Sequence, residues 1–268
     1  MYLSGYLPMA VITITSDWGL KDPYLASVKG AILSHLPDVT IVDISHQITP
    51  FDMNQASFVL RNSYRSFPAG TVHLIGINTE ASIETPHTLV LYDGHYFIGA
   101  DNGIFSLVFD RDPEKIIEID VIQDSDYFTF SERDVFVKVA VHILSGQPAE
   151  KLGVPRSSLT RMISFQPVVD GSVIKGKVTY VDVYENLITN IGHHLFRTVG
   201  KGNRFTITFR NPQYVIHTLS TSYSDVPEGE MLAIFGTSGM LEIAMNRGNA
   251  SSLLGMEVDD PVRIEFTE

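Results

Sequence analysis

Four short polar segments contain side chains whose types suit chemistry or ligand binding. The first holds Ser16, Asp17 and Trp18, directly after an apolar, β-branched run at residues 10–15. That run predicts a buried strand, and open parallel sheets bind ligands beyond the carboxyl ends of their strands. We therefore expect Asp17 to accept hydrogen bonds from a sugar diol. The alternative is that Asp17 only caps the turn that follows.

The second segment, residues 43–52, offers a histidine and an aromatic ring. His46 has the chemistry of a general base, although a single histidine in a loop is more often a hydrogen-bonded structural residue. Phe51 precedes Asp52, which we expect to cap a helix. The Phe51 ring is then either a hydrophobic staple for that helix or an aromatic platform for a ligand.

The other two segments are also turn-like. Residues 101–103 (Asp-Asn-Gly) indicate a tight structural turn. Asp182, Tyr184 and Asn186 lie in the second half of the chain. An asparagine amide and a tyrosine ring could together bind the edge and the face of a base. A turn between two strands accounts for the same residues.

Composition and missing motifs exclude several classes of function. The net charge of -12 argues against binding to nucleic acid or to an anionic membrane, and the absence of cysteine excludes disulfides, thiolate metal sites and a cysteine nucleophile. The sequence has no phosphate-binding glycine loop, no Gly-x-Ser-x-Gly elbow and no metal-ligand spacing among its histidines. Neither a membrane span nor a signal peptide is indicated. We expect a cytoplasmic protein that starts at Met1 or Met9.

The elements that must position these residues differ between the two halves of the chain. The first half alternates strands and helices, which favours a largely parallel sheet flanked by helices. Its predicted strands are 10–15, 40–44, 72–77, 88–92, 96–100 and 116–119. Its predicted helices begin at the Asp22-Pro23 cap, at Asp52 and at Glu132.

From about Pro167 onward the pattern changes to short β-rich runs separated by Gly, Asn, Asp and Pro. These runs are residues 173–181, 205–209, 231–235, 240–244 and 262–266, with one short helix at 192–199. The predicted fold is therefore α/β: an N-terminal α/β domain at 9–163 and a smaller antiparallel β-barrel-like domain at 168–268. Clefts between domains are common sites for small ligands.

An ordered set of motifs extends over nearly the whole chain. The motifs are residues 16–19 (SDWG), 22–24 (DPY), 29–30 (KG), 42–46 (VDISH), 48–52 (ITPFD), 67–74 (FPAGTVHL), 101–103 (DNG), 129–130 (TF), 133–134 (RD), Asn186, 189–191 (TNI), 223–230 (YSDVPEGE) and 241–246 (LEIAMN). In this order they resemble the S-adenosylmethionine (SAM) hydrolases, also called SAM hydroxide adenosyltransferases. That family is related to the SAM-dependent fluorinase and chlorinase.

The resemblance implies a homotrimer that binds SAM or adenosine between neighbouring subunits. We expect no cofactor and no metal. The resemblance also implies that Asp17 holds the ribose hydroxyls and that Phe51 faces the sugar. For the rest of the ligand it implies a larger set: Asn186 on the adenine edge, Tyr184 and Tyr223 on the base, Asp182 at the methionine ammonium, Thr237 and Ser238 at its carboxylate, and Asn246 among the binding residues.

The reactive corner, by which we mean the positions where the family hydrolases hold the attacking water, departs from the family pattern. Family hydrolases use an Asp, an Arg and a His to position and activate the water that attacks the ribose C5′. At these positions the chain has Asn78, Thr85 (within one residue) and Ser131. The tyrosine that the halogenases have at the position of Asn78 is missing too.

Three other groups are candidates to activate the water: Glu80, Glu132 and His87. Their alternative role is that of solvated loop residues. The sequence thus leaves three functions open. They are an altered SAM hydrolase that releases adenosine and methionine, a silent nucleoside-binding protein, and an enzyme for another nucleoside.

Overall fold

The computed structural model describes residues 10–123, 126, 128–163, 165–211 and 213–267. The chain divides into two compact units, Met1–Ile163 and Ser164–Glu268. Met1, Met9 and Glu268, at which the expected start and the outer domain limits fall, lie outside the described residues.

Unit 1 is built on a seven-stranded mixed sheet. Its strands are β1 (Val11–Ser16), β2 (Thr40–Ser45), β3 (Val72–Gly76), β4 (His87–Tyr92), β5 (His95–Ala100), β6 (Lys115–Ile119) and β7 (Gly153–Pro155). Their order is β2-β1-β3-β5-β4-β6-β7. The strands β2, β1, β3 and β5 run parallel to one another. The strands β4, β6 and β7 each pair antiparallel with their neighbours. All six residues of β1 are buried, as expected for a central parallel strand.

Helices cover both faces of this sheet. They are α1 (Tyr24–His35), α2 (Met53–Arg61), α3 (Ile104–Val108) and α4 (Val137–Leu144), with a π-helical turn at Glu132–Phe136 directly before α4. One core cluster joins α1 and α4 to Leu74, and a second joins α2 and α3 to Ile75. Neighbouring residues of a strand point to opposite faces, so the two clusters lie on opposite sides of the sheet.

The predicted caps had different outcomes. Asp52 is confirmed as the N-cap of α2, because its carboxylate accepts the backbone N–H of Gln55. The predicted cap at Asp22 is wrong: α1 begins at Tyr24, Pro23 takes the N-cap position, and no side-chain cap hydrogen bond forms. The predicted helix from Glu132 is present, but its first turn has the wider π spacing.

Unit 2 is a nearly closed antiparallel sheet. Its strands are β8 (Val168–Asp170), β9 (Val173–Val181), β10 (Leu187–Gly192), β11 (Arg204–Thr208), β12 (Val215–Ile216), β13 (Met231–Phe235), β14 (Met240–Met245) and β15 (Pro261–Thr267). The order is β12-β11-β15-β9-β10-β14-β13, with β8 beside β9. A bridge between Leu219 and Ala233 links the two ends of the path. The predicted α/β class with a second β-barrel-like part is confirmed.

Two short helices lie against the barrel-like sheet, α5 (His193–Gly200) and α6 (Ala250–Leu254). The sequence pattern predicted α5 but neither α6 nor β10. None of the helices within the described residues is long and apolar enough to cross a membrane.

Gly76, at the end of β3, is required by the packing of Trp18. A Cβ built on Gly76 would lie 2.4 Å from Cζ2 of the Trp18 ring. That ring is also in contact with His46, with ring centroids 6.3 Å apart, and with Phe130 at 5.7 Å, so it has little room to move. The close approach therefore fixes the indole across the end of the sheet.

We predict that Gly76→Ala lowers the free energy of unfolding by about 1–3 kcal/mol, the usual effect of overpacking. Gly30→Ala is the matched control, since Gly30 lies in α1 and a Cβ there meets nothing within 4 Å. That control should stabilise by about 0.5–1 kcal/mol through helix propensity. Urea denaturation of both variants measures the difference. Equal stability of the two variants would contradict the close packing of Trp18 on Gly76.

Candidate functional site

The carboxyl ends of β1 and β2 place Asp17 beside Phe51. The backbone N–H of Phe51 donates to Asp17 Oδ2 at 2.8 Å. Phe51 adopts a φ of 66°, a left-handed conformation that is rare for an aromatic residue, and its side chain is 71% exposed. Such strain persists only where the surrounding structure enforces it, and it is concentrated at functional sites. The structure thus brings together two predicted ligand-binding residues.

His46 lies behind this pair rather than facing solvent. It is 4% exposed, and its Nδ1 is 2.6 Å from the hydroxyl of Ser16. Its Nε2 lies 3.1 Å from Asp43 Oδ1, outside hydrogen-bond geometry. The His46 carbonyl accepts the N–H of Gly19 at 2.8 Å. These contacts join the loops after β1 and β2, which supports the structural interpretation of His46.

Asp43, which lies beside His46, is itself paired with a lysine. Lys29 donates to Asp43 Oδ2 at 2.6 Å. Burial by itself would raise the pKa of Asp43, but the hydrogen bond from Lys29 and the contact with His46 lower it below the usual range. Asp43 therefore stays ionised at neutral pH.

The turn after β3 is held in a defined conformation. Asn78 has a φ of 47°, which asparagine tolerates better than most residues. The side-chain amide of Asn102 donates to the carbonyls of Ile77 and Asn78 at 3.1 and 2.9 Å. The Asp-Asn-Gly segment is thus structural, as predicted, and one of its contacts is with the reactive corner.

Thr79 connects this turn to Glu132. Its carbonyl accepts from Nε2 of His87 at 2.9 Å, and its hydroxyl donates to Glu132 Oε1 at 2.6 Å. Burial lowers the pKa of His87, and the backbone acceptor offsets this only in part. His87 is therefore a neutral donor that holds Thr79.

Glu132 is a buried carboxyl group. It is 5% exposed, and burial raises its pKa; the hydrogen bond from Thr79 opposes the rise, and the negative charge of Asp17 adds to it. Asp17 and Glu132 are therefore close enough to interact electrostatically. Among the candidate groups in this corner, Glu132 is the buried carboxyl with a polar partner.

The remaining positions of the corner have different environments. Ser131 is buried at the start of the π-helical turn. Glu80 is exposed. Thr85 is bonded within its own loop, where its hydroxyl lies 2.8 Å from that of Ser82. Ser131 directly precedes Glu132 in the sequence, and Asn78 directly precedes Thr79, the hydrogen-bond partner of Glu132. Thr85 belongs to the outer part of the loop.

In unit 2, Asp182 and Asn186 organise the turn between β9 and β10. Asp182 Oδ1 accepts the backbone N–H groups of Tyr184 and Asn186 at 2.9 and 2.8 Å. Its Oδ2 accepts from the side-chain amide of Asn186 at 2.9 Å. The turn interpretation of these residues therefore holds, and it leaves the Tyr184 side chain 73% exposed at the surface. The ligand roles of all three stay predictions.

Tyr223 binds a second buried acid, Glu242. The phenol donates to Glu242 Oε1 at 2.6 Å, and Glu242 is 7% exposed. Burial raises the pKa of Glu242; the Tyr223 hydroxyl opposes the rise and the charge of Asp182 adds to it. Burial and Glu242 together raise the pKa of Tyr223. Asp182, Tyr223 and Glu242 therefore form one electrostatically coupled group.

The β13–β14 turn lies next to Glu242. A Cβ on Gly236 would be 2.7 Å from Glu242 Oε2. Thr237 and Ser238 follow in this turn, and the Ser238 hydroxyl accepts the N–H of Met240. Asn246, at the other end of β14, donates from its amide to the carbonyl of Val226 at 2.7 Å. The predicted ligand roles of Thr237, Ser238 and Asn246 also stay predictions.

Sequence reasoning missed two residues that the structure places among the candidate site residues, Thr79 and Glu242. Thr79 has no sequence signal of its own, since its role follows from the position of Glu132. Glu242 had a signal that could have been used: it is a charged residue inside the otherwise apolar strand β14, between Leu241 and Ile243. A carboxyl group at such a position is expected to have a polar partner. In the described part of the chain, no group of three or more His, Asp or Glu could hold a metal ion.

Comparison with known proteins defines the class to which this fold and these surfaces belong. The SAM hydroxide adenosyltransferase N-terminal domain matches residues 12–153, and the C-terminal domain of the same family matches residues 176–263. The chain therefore belongs to the SAM hydroxide adenosyltransferase family, and the resemblance seen in the sequence is confirmed.

Individual relatives extend over nearly the whole chain. A protein of Thermus thermophilus named (R)-S-adenosyl-L-methionine hydrolase is 30% identical over 273 residues, which cover 96% of this chain and 100% of the relative. A fluorinase of Nocardia brasiliensis is 25% identical, covering 95% of this chain and 96% of its own. A crystal structure of an uncharacterised conserved protein from Thermotoga maritima has a TM-score of 0.85 at 29% identity, covering 95% of this chain and 99% of that one.

The burial of Glu242 should make the stability of the protein depend on pH. Because its pKa is raised in the folded state, Glu242 favours folding when protonated, and that contribution is lost as the pH rises through the folded-state pKa. Glu242→Gln cannot ionise, yet it keeps an acceptor for Tyr223. We predict that this variant melts at a higher temperature than wild type at about pH 8, with a smaller difference at about pH 4.

Differential scanning calorimetry at the two pH values measures this effect. Glu257→Gln, at an exposed position of the same unit, is the control and should show little change at either pH. A stabilisation by Glu242→Gln that is independent of pH would contradict a buried, ionising Glu242.

Proposed function

We propose that the protein binds S-adenosylmethionine and hydrolyses it to adenosine and methionine, by attack of water at the ribose C5′. Family membership and a relative of full coverage named (R)-S-adenosyl-L-methionine hydrolase support the substrate class. The observation that carries the proposal is the Asp17–Phe51 pair, a carboxylate held in place at the strand ends next to a strained, exposed aromatic residue.

Asp17 suits the ribose. A carboxylate accepts from both hydroxyls of a vicinal diol, and hydrogen bonds to a charged group contribute about 1.5–3 kcal/mol each. The N–H of Phe51 already occupies one lone pair on Oδ2 and fixes the direction of the group. The exposed Phe51 ring offers an apolar face for the sugar.

The surface of unit 2 suits the base and the amino acid. The exposed Tyr184 and half-exposed Tyr223 offer rings for a purine. The Asn186 amide nitrogen is engaged by Asp182, which leaves its oxygen to accept from an exocyclic amine. In the same proposal Asp182 binds the ammonium group, Thr237 and Ser238 bind the carboxylate, and Asn246 completes the surface. Assembly as a homotrimer belongs to the proposal too.

The reaction places modest demands on the protein. The leaving group is a neutral thioether that departs from a sulfonium, so it needs no proton. Alignment of the water at about 3–3.5 Å from the carbon and exclusion of bulk solvent provide much of the rate acceleration. The proposal therefore requires neither cofactor nor metal.

A second candidate, a silent nucleoside-binding protein, is favoured by one observation. The family's Asp, Arg and His are replaced by Asn78, Thr85 and Ser131. An amide and two hydroxyls orient a water molecule but do not take its proton at neutral pH. The two candidates agree on binding and differ on turnover.

Incubation with SAM followed by chromatography separates these candidates. We expect adenosine and methionine to appear in equal amounts, with one sulfonium epimer consumed faster than the other. Release at the rate of the buffer blank, together with saturable binding, would leave the silent binding protein. Neither turnover nor binding of SAM or adenosine would contradict both.

For Asp17→Asn we predict a loss of adenosine affinity of about 10- to 100-fold, because the charge-assisted hydrogen bonds to the diol weaken. Asp38→Asn is the matched control, since Asp38 is exposed and precedes β2, at the opposite edge of the sheet. Isothermal titration calorimetry measures both affinities. Equal affinity of the Asp17 and Asp38 variants would remove the ribose role of Asp17.

A further inference from the structure

Glu132 combines burial with a place at an irregular helical turn. It is the first residue of the π-helical turn Glu132–Phe136 and is 5% exposed. Single π turns inside helices occur frequently at functional sites, since the extra residue redirects side chains. Carboxyl groups are rarely buried to this extent without a partner. The burial of Glu132 therefore indicates a specific role, unlike the charge of an exposed surface carboxyl group.

The partner of Glu132 is itself held from two sides. Thr79 donates its hydroxyl to Oε1 at 2.6 Å, its carbonyl accepts from His87, and the amide of Asn102 fixes the preceding turn. One carboxyl oxygen is thereby fixed. The carboxylate also accepts from its own backbone N–H. Because the two oxygens of a carboxylate offer about four acceptor sites, acceptor capacity remains for a water molecule.

The charged groups around Glu132 do not neutralise it. Asp17, at the end of β1, adds negative charge, and His87, on β4, is kept neutral by burial. On the turn itself Arg133 pairs with Asp134, with Nε and Oδ1 2.6 Å apart. Within the described residues no ion pair includes Glu132. Burial therefore raises its pKa, which brings a carboxylate closer to the range in which general bases work near neutral pH.

From this geometry we infer that Glu132 is the general base of the proposed hydrolysis, replacing the family's water-activating group, with Thr79 as its positioning residue. The inference rests on the proposed function. In the step, the water oxygen forms a bond to C5′ while the C5′–S bond breaks and its electron pair stays on sulfur. The water proton passes to the Glu132 carboxylate and later to solvent, which regenerates the base.

Two neighbouring residues add groups that can orient the attacking water. Asn78 and Ser131 directly precede Thr79 and Glu132 in the sequence, and both have side chains that can orient a water molecule. At the positions where the family has its acid and its histidine, the chain thus retains groups that orient water. The adjacent residue supplies the proton acceptor.

The test compares Glu132→Gln with Glu84→Gln, an exposed carboxyl group in the nearby loop. We expect Glu132→Gln to reduce turnover of SAM by about 10²- to 10⁴-fold, the usual contribution of a general base. Its adenosine affinity and melting temperature should not fall, because an isosteric amide replaces a buried carboxyl. Glu84→Gln should retain wild-type turnover.

A pH profile separates a base from a merely structural residue. Wild-type turnover should rise with pH and level off above an apparent pKa higher than that of an ordinary carboxyl group. The residual turnover of Glu132→Gln should lack this rise. Thr79→Val should lower the rate less than Glu132→Gln and displace the apparent pKa upward, since the carboxylate loses its hydrogen bond.

The possible failures can be told apart. Wild-type turnover that Glu132→Gln leaves unchanged, or that Glu80→Gln abolishes instead, would overturn the assignment of Glu132 and leave the proposed hydrolysis intact. Binding of SAM without turnover by the wild type would overturn the hydrolysis and the base together. A pH profile that is the same in wild type and Glu132→Gln would also overturn the role of Glu132.

Discussion

The parallel pairing of β1 with both β2 and β3 is the constraint on which the reactive corner of unit 1 depends. Ser16 of β1 aligns with Gly76 of β3, and Thr15 aligns with Ser45 of β2. The residues that follow all three strands therefore leave the sheet at one edge. Asp17, His46 and Asn78 come from distant parts of the chain, and this register brings their loops together. Trp18 lies across the same edge because Gly76 has no side chain.

Much of the fold could be predicted from the sequence, because periodicity reports burial directly. The run before Asp17 is apolar throughout and forms the central strand, and Asp52 caps α2 as its position suggested. Features with weaker local signals were harder. Pro23 rather than Asp22 occupies the cap of α1, and β10 was not recognised because its residues follow a polar turn closely.

The candidate sites were less predictable, since their residues act through partners that are distant in sequence. The pairing of Thr79 with Glu132 joins residues 53 positions apart, and that of Tyr223 with Glu242 joins residues 19 apart. A local pattern can indicate that an acid such as Glu242 is buried and needs a polar partner, but it does not identify which distant residue is that partner. In each unit, one of these pairs joins a buried acid, Glu132 or Glu242, to a hydroxyl donor from another element. Burial of this kind opposes folding at high pH, so the two acids link the candidate sites to the stability of the protein.

The left-handed backbone of Phe51 has an evolutionary consequence. At a φ of 66° the main chain would be most relaxed with glycine or asparagine, whereas the proposed contact with an apolar sugar face is made best by a large ring. No natural amino acid satisfies both demands. Under the proposed role of Phe51, a small residue at position 51 would stabilise the fold and weaken ligand binding, so selection for ligand recognition and selection for thermal tolerance would favour different residues at this position.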